Sequence, residues 1–159
     1  MKRIHIGLRV DDIAASTRFY STLFGTEPSV RKDDYAKWML DDPRVNFSIS
    51  TRCDTAGTLH FGVQVESPEE LAEVTGRLKQ AGIGARETPE VTCCYAKSDK
   101  TWTADPQGHA WETFFTRGTS TVYGDETLEA VDIEDLMAAA HADGDAAQRK
   151  ASGGCCGSD

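Results

Sequence analysis

Residues 4–12, IHIGLRVDD, recur 55 residues later in the chain as residues 59–67, LHFGVQVES. In this alignment His5 falls on His60 and Gly7 falls on Gly62. Both copies alternate apolar and polar side chains, which is the period of a β-strand with one buried face. Because such self-similarity marks a repeated structural unit, the sequence predicts a chain built from two similar halves.

A helix signal follows each of these predicted strands. In the second half, Ser67 is the expected N-cap of a helix that ends at Gly82. In the first half, Asp11 or Asp12 can cap a helix that ends at Gly25. The apolar residues that we expect on the buried face of this first helix are Ile13, Phe19, Tyr20, Leu23 and Phe24.

Three short strands are predicted after each helix, so the order βαβββ occurs twice. This pattern indicates an α+β fold in which tandem βαβββ modules form a curved mixed sheet with the helices outside. We expect one domain over residues 1–117, with half-modules of about 1–55 and 56–117, and an acidic, largely flexible tail over 118–159. The predicted strands cover residues 28–33, 35–41 and 45–50, then 85–90, 98–104 and 109–116.

Three side chains from separate strands form a predicted metal site. The apolar residues of each repeated strand take the core face, so His5 and His60 must project from the opposite, concave face. Glu112 lies among apolar residues in the last predicted strand, where a carboxylate needs a partner. Two imidazoles at matching positions and a third-strand carboxylate favour a metal site over three separate structural roles.

Adjacent cysteines occur twice, as Cys93–Cys94 and as Cys155–Cys156 near the end of the tail. Neighbouring side chains in a strand point apart, so joint use of Cys93 and Cys94 requires a loop. Thiolates prefer soft ions, and the nearby Lys97 and Lys100 can lower a thiol pKa. The alternative is a half-buried pair that packs as small hydrophobic residues. Cys53 stands alone and is expected to be inert.

Charge and composition exclude several classes of partner. The net charge is −9, but residues 118–159 hold nine acids and two bases, so residues 1–117 are nearly neutral. No cluster of basic residues suits a nucleic acid, and no apolar run reaches the roughly 20 residues of a membrane span. With no signal-peptide pattern at the start, we expect a cytoplasmic protein whose cysteines are thiols.

These residues together resemble the vicinal oxygen chelate superfamily, which includes glyoxalase I, extradiol dioxygenases and the bleomycin and fosfomycin resistance proteins. The resemblance implies metal ligands on the first and last strands of each half, so a fourth ligand would fall near Ser48 or Ile49. Neither residue is a carboxylate or an imidazole. The remaining set of two histidines and one glutamate suits Fe(II) with open positions, and zinc or manganese also fits these ligands.

Within that superfamily, the adjacent cysteines make the chain most similar to organoarsenical carbon–arsenic lyases and the closely related cadmium-inducible proteins. The resemblance implies that Cys93 and Cys94 bind a trivalent organoarsenical while His5, His60 and Glu112 hold Fe(II). The implied reaction is dioxygen-dependent cleavage of the carbon–arsenic bond to arsenite, for detoxification. The tail thiols, Cys155 and Cys156, either relay or scavenge arsenic or have no catalytic part.

Two other functions remain compatible with the sequence. A cadmium- or arsenite-inducible protein could use the same cysteines to sequester thiol-binding metals without turnover. Another chelate-fold enzyme, such as a resistance transferase or an extradiol-type dioxygenase, would leave the cysteine pair idle. The sequence leaves open whether methyl or substituted phenyl is the preferred group on arsenic, and whether the protein is a monomer or a homodimer.

Overall fold

Secondary structure follows the order βαβββ twice, as the repeat predicts. A computed structural model of the protein describes residues 2–52 and 57–124. The first half contains β1 (Arg3–Arg9), α1 (Ile13–Phe24), β2 (Val30–Arg31), β3 (Tyr35–Asp41) and β4 (Arg44–Ser50). The second half contains β5 (Gly57–Val65), α2 (Pro68–Gln80), β6 (Arg86–Cys93), β7 (Ala96–Ala104) and β8 (Ala110–Thr119).

The eight strands within residues 2–52 and 57–124 belong to one curved mixed sheet, in the order β2-β3-β4-β1-β5-β8-β7-β6. The two repeated strands, β1 and β5, are antiparallel neighbours at its centre. Each also pairs in parallel with the last strand of its own half, β1 with β4 and β5 with β8. The predicted α+β fold is therefore confirmed, and both copies of the repeat lie side by side in the middle of the sheet.

Helix α1 packs with only part of its predicted apolar face. Ile13, Tyr20 and Phe24 contact a core that includes Trp38 and Phe47 from β3 and β4. The prediction was wrong for two other residues, because the side chains of Phe19 and Leu23 are 61% and 62% exposed. The buried face follows the helical spacing 13, 17, 20 and 24, which places residues 19 and 23 on its flank.

Both helices begin at the predicted caps. The Asp12 carboxylate accepts a hydrogen bond from the Ala15 amide at 2.8 Å, and α1 ends at Gly25 with a φ of 67°. The Ser67 hydroxyl accepts from the Glu70 amide at 3.2 Å at the start of α2. These bonds satisfy amide groups that a helix start leaves without partners.

We predict that Asp12→Ala lowers the free energy of unfolding by about 1 kcal/mol, because the Ala15 amide loses its cap. Urea unfolding followed by circular dichroism measures the change. Asp11→Ala is the matched control: the Asp11 side chain is 84% exposed and forms a surface ion pair with Arg9, so its loss should change stability little. Equal losses for the two variants would contradict the assigned cap.

The last strand extends past the predicted domain boundary at residue 117. Strand β8 continues to Thr119, and the Ser120 amide donates a hydrogen bond to the Tyr95 carbonyl at 2.8 Å. Residues 120–124 therefore belong to the folded unit. Cys53, Cys155 and Cys156 lie outside the described residues. Across the described ranges, no helix has the length and apolar character needed to cross a membrane.

Candidate metal and thiol site

Two glycines allow the side chains of the site to approach one another at the centre of the sheet. In the pairing of β1 with β5, His5 lies opposite Gly62 and His60 lies opposite Gly7. A Cβ on Gly7 would lie 3.0 Å from His60 Cε1, and a Cβ on Gly62 would lie 2.4 Å from the Glu112 carbonyl oxygen. The space that each glycine leaves is thus filled by other residues of the site.

The structure brings His5, His60 and Glu112 together in one cluster. His5 Nε2 and His60 Nε2 are 3.1 Å apart, and Glu112 Oε1 lies 3.3 Å from the first and 3.2 Å from the second. These three atoms form a nearly equilateral triangle. Adjacent ligands of one ion show this spacing when each lies about 2.1 Å from the metal.

A backbone carbonyl orients the first imidazole. His5 Nδ1 lies 3.0 Å from the Asn46 carbonyl oxygen, so the proton of a neutral ring belongs on Nδ1 and the lone pair of Nε2 faces Glu112. Burial lowers the pKa of His5 to about 4, although the Glu112 charge opposes this shift. At neutral pH the ring is therefore uncharged, the form that binds metals.

A lysine pairs with the far oxygen of the buried carboxylate. Glu112 is 3% exposed, and Lys100 Nζ, on a side chain that is 7% exposed, lies 3.1 Å from Glu112 Oε2. Burial alone would raise the pKa of Glu112, but Lys100 and then His60 outweigh this effect and hold the pKa below its ordinary value. The carboxylate stays charged, with Oε1 directed at the two imidazoles.

Cys93 and Cys94 lie at the tip of the hairpin between β6 and β7. Cys93 pairs with Ala96, which leaves Cys94 and Tyr95 as a two-residue turn. Both turn residues have positive φ, 58° and 61°. The predicted loop is therefore a tight turn, and it brings the two Sγ atoms to 3.0 Å from each other.

The two thiols differ in acidity because they share a hydrogen bond. The Cys93 hydrogen bond lowers the pKa of Cys94 to about 7, burial opposes the shift, and Lys100 adds to it. The same hydrogen bond raises the pKa of Cys93. Of the two lysines proposed to act on the thiols, Lys97 is exposed at the surface, whereas Lys100 faces the site. One sulfur of the pair is thus partly ionised at neutral pH.

The thiol pair and the metal-type cluster open onto one pocket. His5, His60, Glu112, Cys93 and Cys94 all contribute to its wall. The three metal-type donors lie on β1, β5 and β8, whereas the cysteines lie at the turn between β6 and β7. The two groups meet because β1, β5, β8, β7 and β6 follow one another in the curved sheet. A molecule held by the sulfurs would therefore face the imidazoles and the carboxylate.

Comparison with known proteins places this architecture in a family. The sequence profile of the Glyoxalase/Bleomycin resistance protein/Dioxygenase superfamily matches residues 2–113. The chain belongs to this superfamily. The match runs from β1 into the first residues of β8 and includes His5, His60, Cys93, Cys94 and Glu112.

Two relatives within the superfamily carry informative names. A trivalent organoarsenical cleaving enzyme from Bacillus sp. strain MD1 is 45% identical over 122 residues, which cover 75% of this chain and 76% of that protein. The cadmium-induced protein CadI of Mycobacterium tuberculosis is 37% identical over 125 residues, which cover 78% of this chain and 82% of that protein.

A solved structure of the superfamily shares the fold. The Mn(II)-bound glyoxalase from Novosphingobium aromaticivorans superposes with a TM-score of 0.54 at 18% identity. The alignment covers 80% of this chain and 44% of the glyoxalase chain. At this identity the likeness concerns the fold alone.

Strand register identifies the fourth position of the superfamily pattern as Ser48. Glu112 lies opposite Gly62, and in the first half Ser48 lies opposite the equivalent Gly7. Ser48 lines the pocket, whereas Ile49, the other predicted candidate, is fully buried in the core under α1. A serine hydroxyl is a weak ligand compared with a carboxylate, so the site is a cluster of three donors.

Tyr35 and Lys37, which were not predicted as site residues, line the same pocket from β3. Their signal is the alternation in YAKWML, where Ala36, Trp38 and Leu40 take the core face and leave the odd-numbered positions on the site face. Burial raises the pKa of Tyr35 and lowers that of Lys37. The side of the pocket that faces Cys94 is therefore built from the first half.

The acidity of Cys94 leads to a spectroscopic prediction for the metal-free protein. The ultraviolet absorbance of thiolate should rise by one equivalent through a midpoint of about pH 7, below the ordinary thiol value of 9.0. Below this midpoint the sulfur carries its proton, and above it the charged form dominates. Cys94→Ser should remove this step and leave the titration of the other thiols at higher pH. A wild-type titration with no step below pH 8, about one unit above the expected midpoint, would contradict the assignment.

Proposed function

We propose that the protein is an enzyme that cleaves the carbon–arsenic bond of trivalent organoarsenicals, using Fe(II) and dioxygen, and releases arsenite and an oxidised carbon fragment. The observation that carries this proposal is that Cys93 and Cys94 share a pocket with His5, His60 and Glu112. The relative named as a trivalent organoarsenical cleaving enzyme, at 45% identity, supports the same chemistry. The role that we propose for this reaction is detoxification of organoarsenicals in the cytoplasm.

The three donor atoms suit a divalent cation. The lone pair of His5 Nε2 and the charged Glu112 oxygen lie 3.3 Å apart with His60 Nε2 beside both, an arrangement of acceptors that a cation would satisfy at once. Two imidazoles and one carboxylate on one face are the ligand set of many non-haem iron oxygenases. Zinc and manganese accept the same donors, but zinc has no redox chemistry and the proposed oxidative cleavage needs a redox-active ion.

The cysteine pair is proposed to bind the arsenic. Each thiol replaces one hydroxyl on trivalent arsenic, so two sulfur–arsenic bonds form and two water molecules leave. The thiolate form is the nucleophile, and Cys94 reaches it near neutral pH because Cys93 hydrogen-bonds to its sulfur. The 3.0 Å separation of the sulfurs allows both to reach one arsenic atom.

The pocket then positions the carbon of the substrate beside the His5, His60 and Glu112 cluster. When bound there, Fe(II) would supply the electrons and the open positions that dioxygen chemistry requires. Lys100 keeps Glu112 ionised and holds its far oxygen, so Oε1 stays directed at the cluster. Holding both reactants in one pocket raises the rate because the reaction no longer waits for their encounter.

Purified protein loaded anaerobically with Fe(II), then mixed with methylarsenite in air, tests the proposal. We expect one arsenite for each methylarsenite consumed, over many turnovers per enzyme molecule. No arsenite should form when dioxygen is excluded. If no arsenite forms while one iron per chain is shown to be bound, the lyase proposal is wrong.

A second function is favoured by the thiol geometry alone. Two sulfurs 3.0 Å apart, one of them ionised near neutral pH, could sequester arsenite or cadmium without turnover. The relative named cadmium-induced protein CadI, at 37% identity, keeps this candidate open. Sequestration needs the cysteines and should survive the loss of Glu112, whereas cleavage should not.

A further inference from the structure

The turn that carries the thiol pair has a backbone conformation that its residues do not favour. Cys94 and Tyr95 both have positive φ, at 58° and 61°. Two-residue turns of this type normally contain asparagine, aspartate or glycine, because other side chains crowd the backbone at positive φ. Contacts from outside the turn must therefore stabilise this conformation.

Residues 120–124, which we call the clasp, supply contacts on both sides of the hairpin. The Ser120 amide donates to the Tyr95 carbonyl at 2.8 Å, beside the turn. Gly124 packs against β6 so closely that a Cβ would lie 1.7 Å from the Thr92 carbonyl oxygen, and its φ is 88°. Only glycine fits there, so the clasp has a defined path across the hairpin.

Tyr123 in the clasp connects the thiol turn to the first half-module. Its hydroxyl lies 3.6 Å from Cys94 Sγ and 3.2 Å from Ser50 Oγ at the end of β4. The Arg52 guanidinium lies 4.7 Å from the centre of its ring. The Tyr95 ring packs edge-on against it at 5.6 Å. These contacts hold the hydroxyl beside the sulfur.

We propose that the clasp holds the thiol turn in its sulfur-presenting conformation and that Tyr123 is a positioning residue for arsenic capture. In the neutral state the Cys94 thiol donates to the Tyr123 oxygen, and after ionisation the phenol donates to the thiolate. Ser50 fixes the orientation of the phenol. The role in arsenic capture rests on the proposed function. The acidity and the alkylation rate of the Cys94 thiol can be measured without arsenic.

Tyr123→Phe in the full-length, metal-free protein isolates the contribution of the hydroxyl, because the ring and its packing remain. Among the described residues, the variant retains the other titratable groups that line the pocket with Cys94, namely His5, Tyr35, Lys37, His60, Cys93, Lys100 and Glu112. We expect the midpoint of thiolate formation to rise by roughly one pH unit. The rate at which iodoacetamide alkylates Cys94 at pH 7 should then fall about fivefold. Peptide mass spectrometry locates the modified cysteine.

Tyr20→Phe is the matched control, because it removes a tyrosine hydroxyl on α1, where the ring packs against Phe47 in the core and does not line the pocket. It should leave the alkylation rate unchanged. Gly124→Ala tests the clasp itself: the displaced segment should withdraw Tyr123 and reproduce the fall in rate. A wild-type rate in Tyr123→Phe, or an equal fall in Tyr20→Phe, would overturn the inference.

Turnover of methylarsenite separates this inference from the proposed function. If the wild type releases arsenite, Tyr123→Phe should raise KM several-fold and leave kcat nearly unchanged, because only capture is weakened. An unchanged KM would contradict the positioning role. If the wild type releases no arsenite, the proposed function fails, and the alkylation rates still decide whether Tyr123 acts on Cys94.

Discussion

Glu112→Gln will eliminate arsenite release and weaken Fe(II) binding by more than about a hundredfold. The amide keeps the shape of the side chain but removes the charge that lies 3.3 and 3.2 Å from the two imidazole nitrogens. Iron content after anaerobic dialysis and arsenite formed from methylarsenite are the two measurements. Glu69→Gln, a change of the same kind at an exposed position of α2, should alter neither quantity.

A loss of folding must be distinguished from a loss of chemistry in this variant. Glu112→Gln also leaves the buried Lys100 ammonium without this carboxylate, which can lower the free energy of unfolding by about 3–5 kcal/mol. Adding Lys100→Met should restore much of that stability, because an apolar side chain needs no countercharge there. The double variant should still bind no iron. Normal iron content and normal turnover in Glu112→Gln would contradict the proposed role of the carboxylate.

Cys93→Ser and Cys94→Ser will each reduce turnover of methylarsenite by about a thousandfold or more, because one sulfur cannot hold arsenic in position beside the iron. Both variants should keep one Fe(II) per chain, since the cluster of His5, His60 and Glu112 is unchanged. Arsenite formed per minute and iron per chain are the measurements. Cys53→Ser serves as the matched control and should retain full activity.

The cysteine variants also separate the three candidate functions. Full turnover in Cys93→Ser would show that the cysteine pair takes no part in catalysis, as expected for another enzyme of the superfamily. Binding of one methylarsenite per chain by wild type and by Glu112→Gln, with turnover in neither, would indicate sequestration. Cleavage requires that Glu112→Gln binds methylarsenite and fails to release arsenite, whereas the cysteine variants fail to bind it.

The repeat allowed much of the fold to be predicted, because strand parity and helix caps are local properties. The alternation around His5 and His60 placed both rings off the core face, and Asp12 and Ser67 cap the helices as expected. The buried face of α1 was predicted only in part. Phe19 and Leu23 lie on the flank of this face, and their apolar character alone did not distinguish them from the buried residues.

Residues that depend on strand order could not be predicted from the sequence. Lys37 and Tyr123 reach the site from β3 and from the segment after β8, and no local pattern pairs either with Cys94. The turn at Cys94–Tyr95 lacks the asparagine or glycine that signals positive φ, so it was predicted only as a loop. Its conformation depends on contacts with residues distant in sequence.

Anaerobic titration of the metal-free protein with Fe(II), followed by X-ray absorption spectroscopy, tests the central claim most directly. We predict one iron per chain, coordinated by two imidazole nitrogens and a carboxylate oxygen with no sulfur, and a sulfur–arsenic signal at the arsenic edge once methylarsenite is added. Iron bound through the cysteine sulfurs, or no stoichiometric iron at all, would contradict the account.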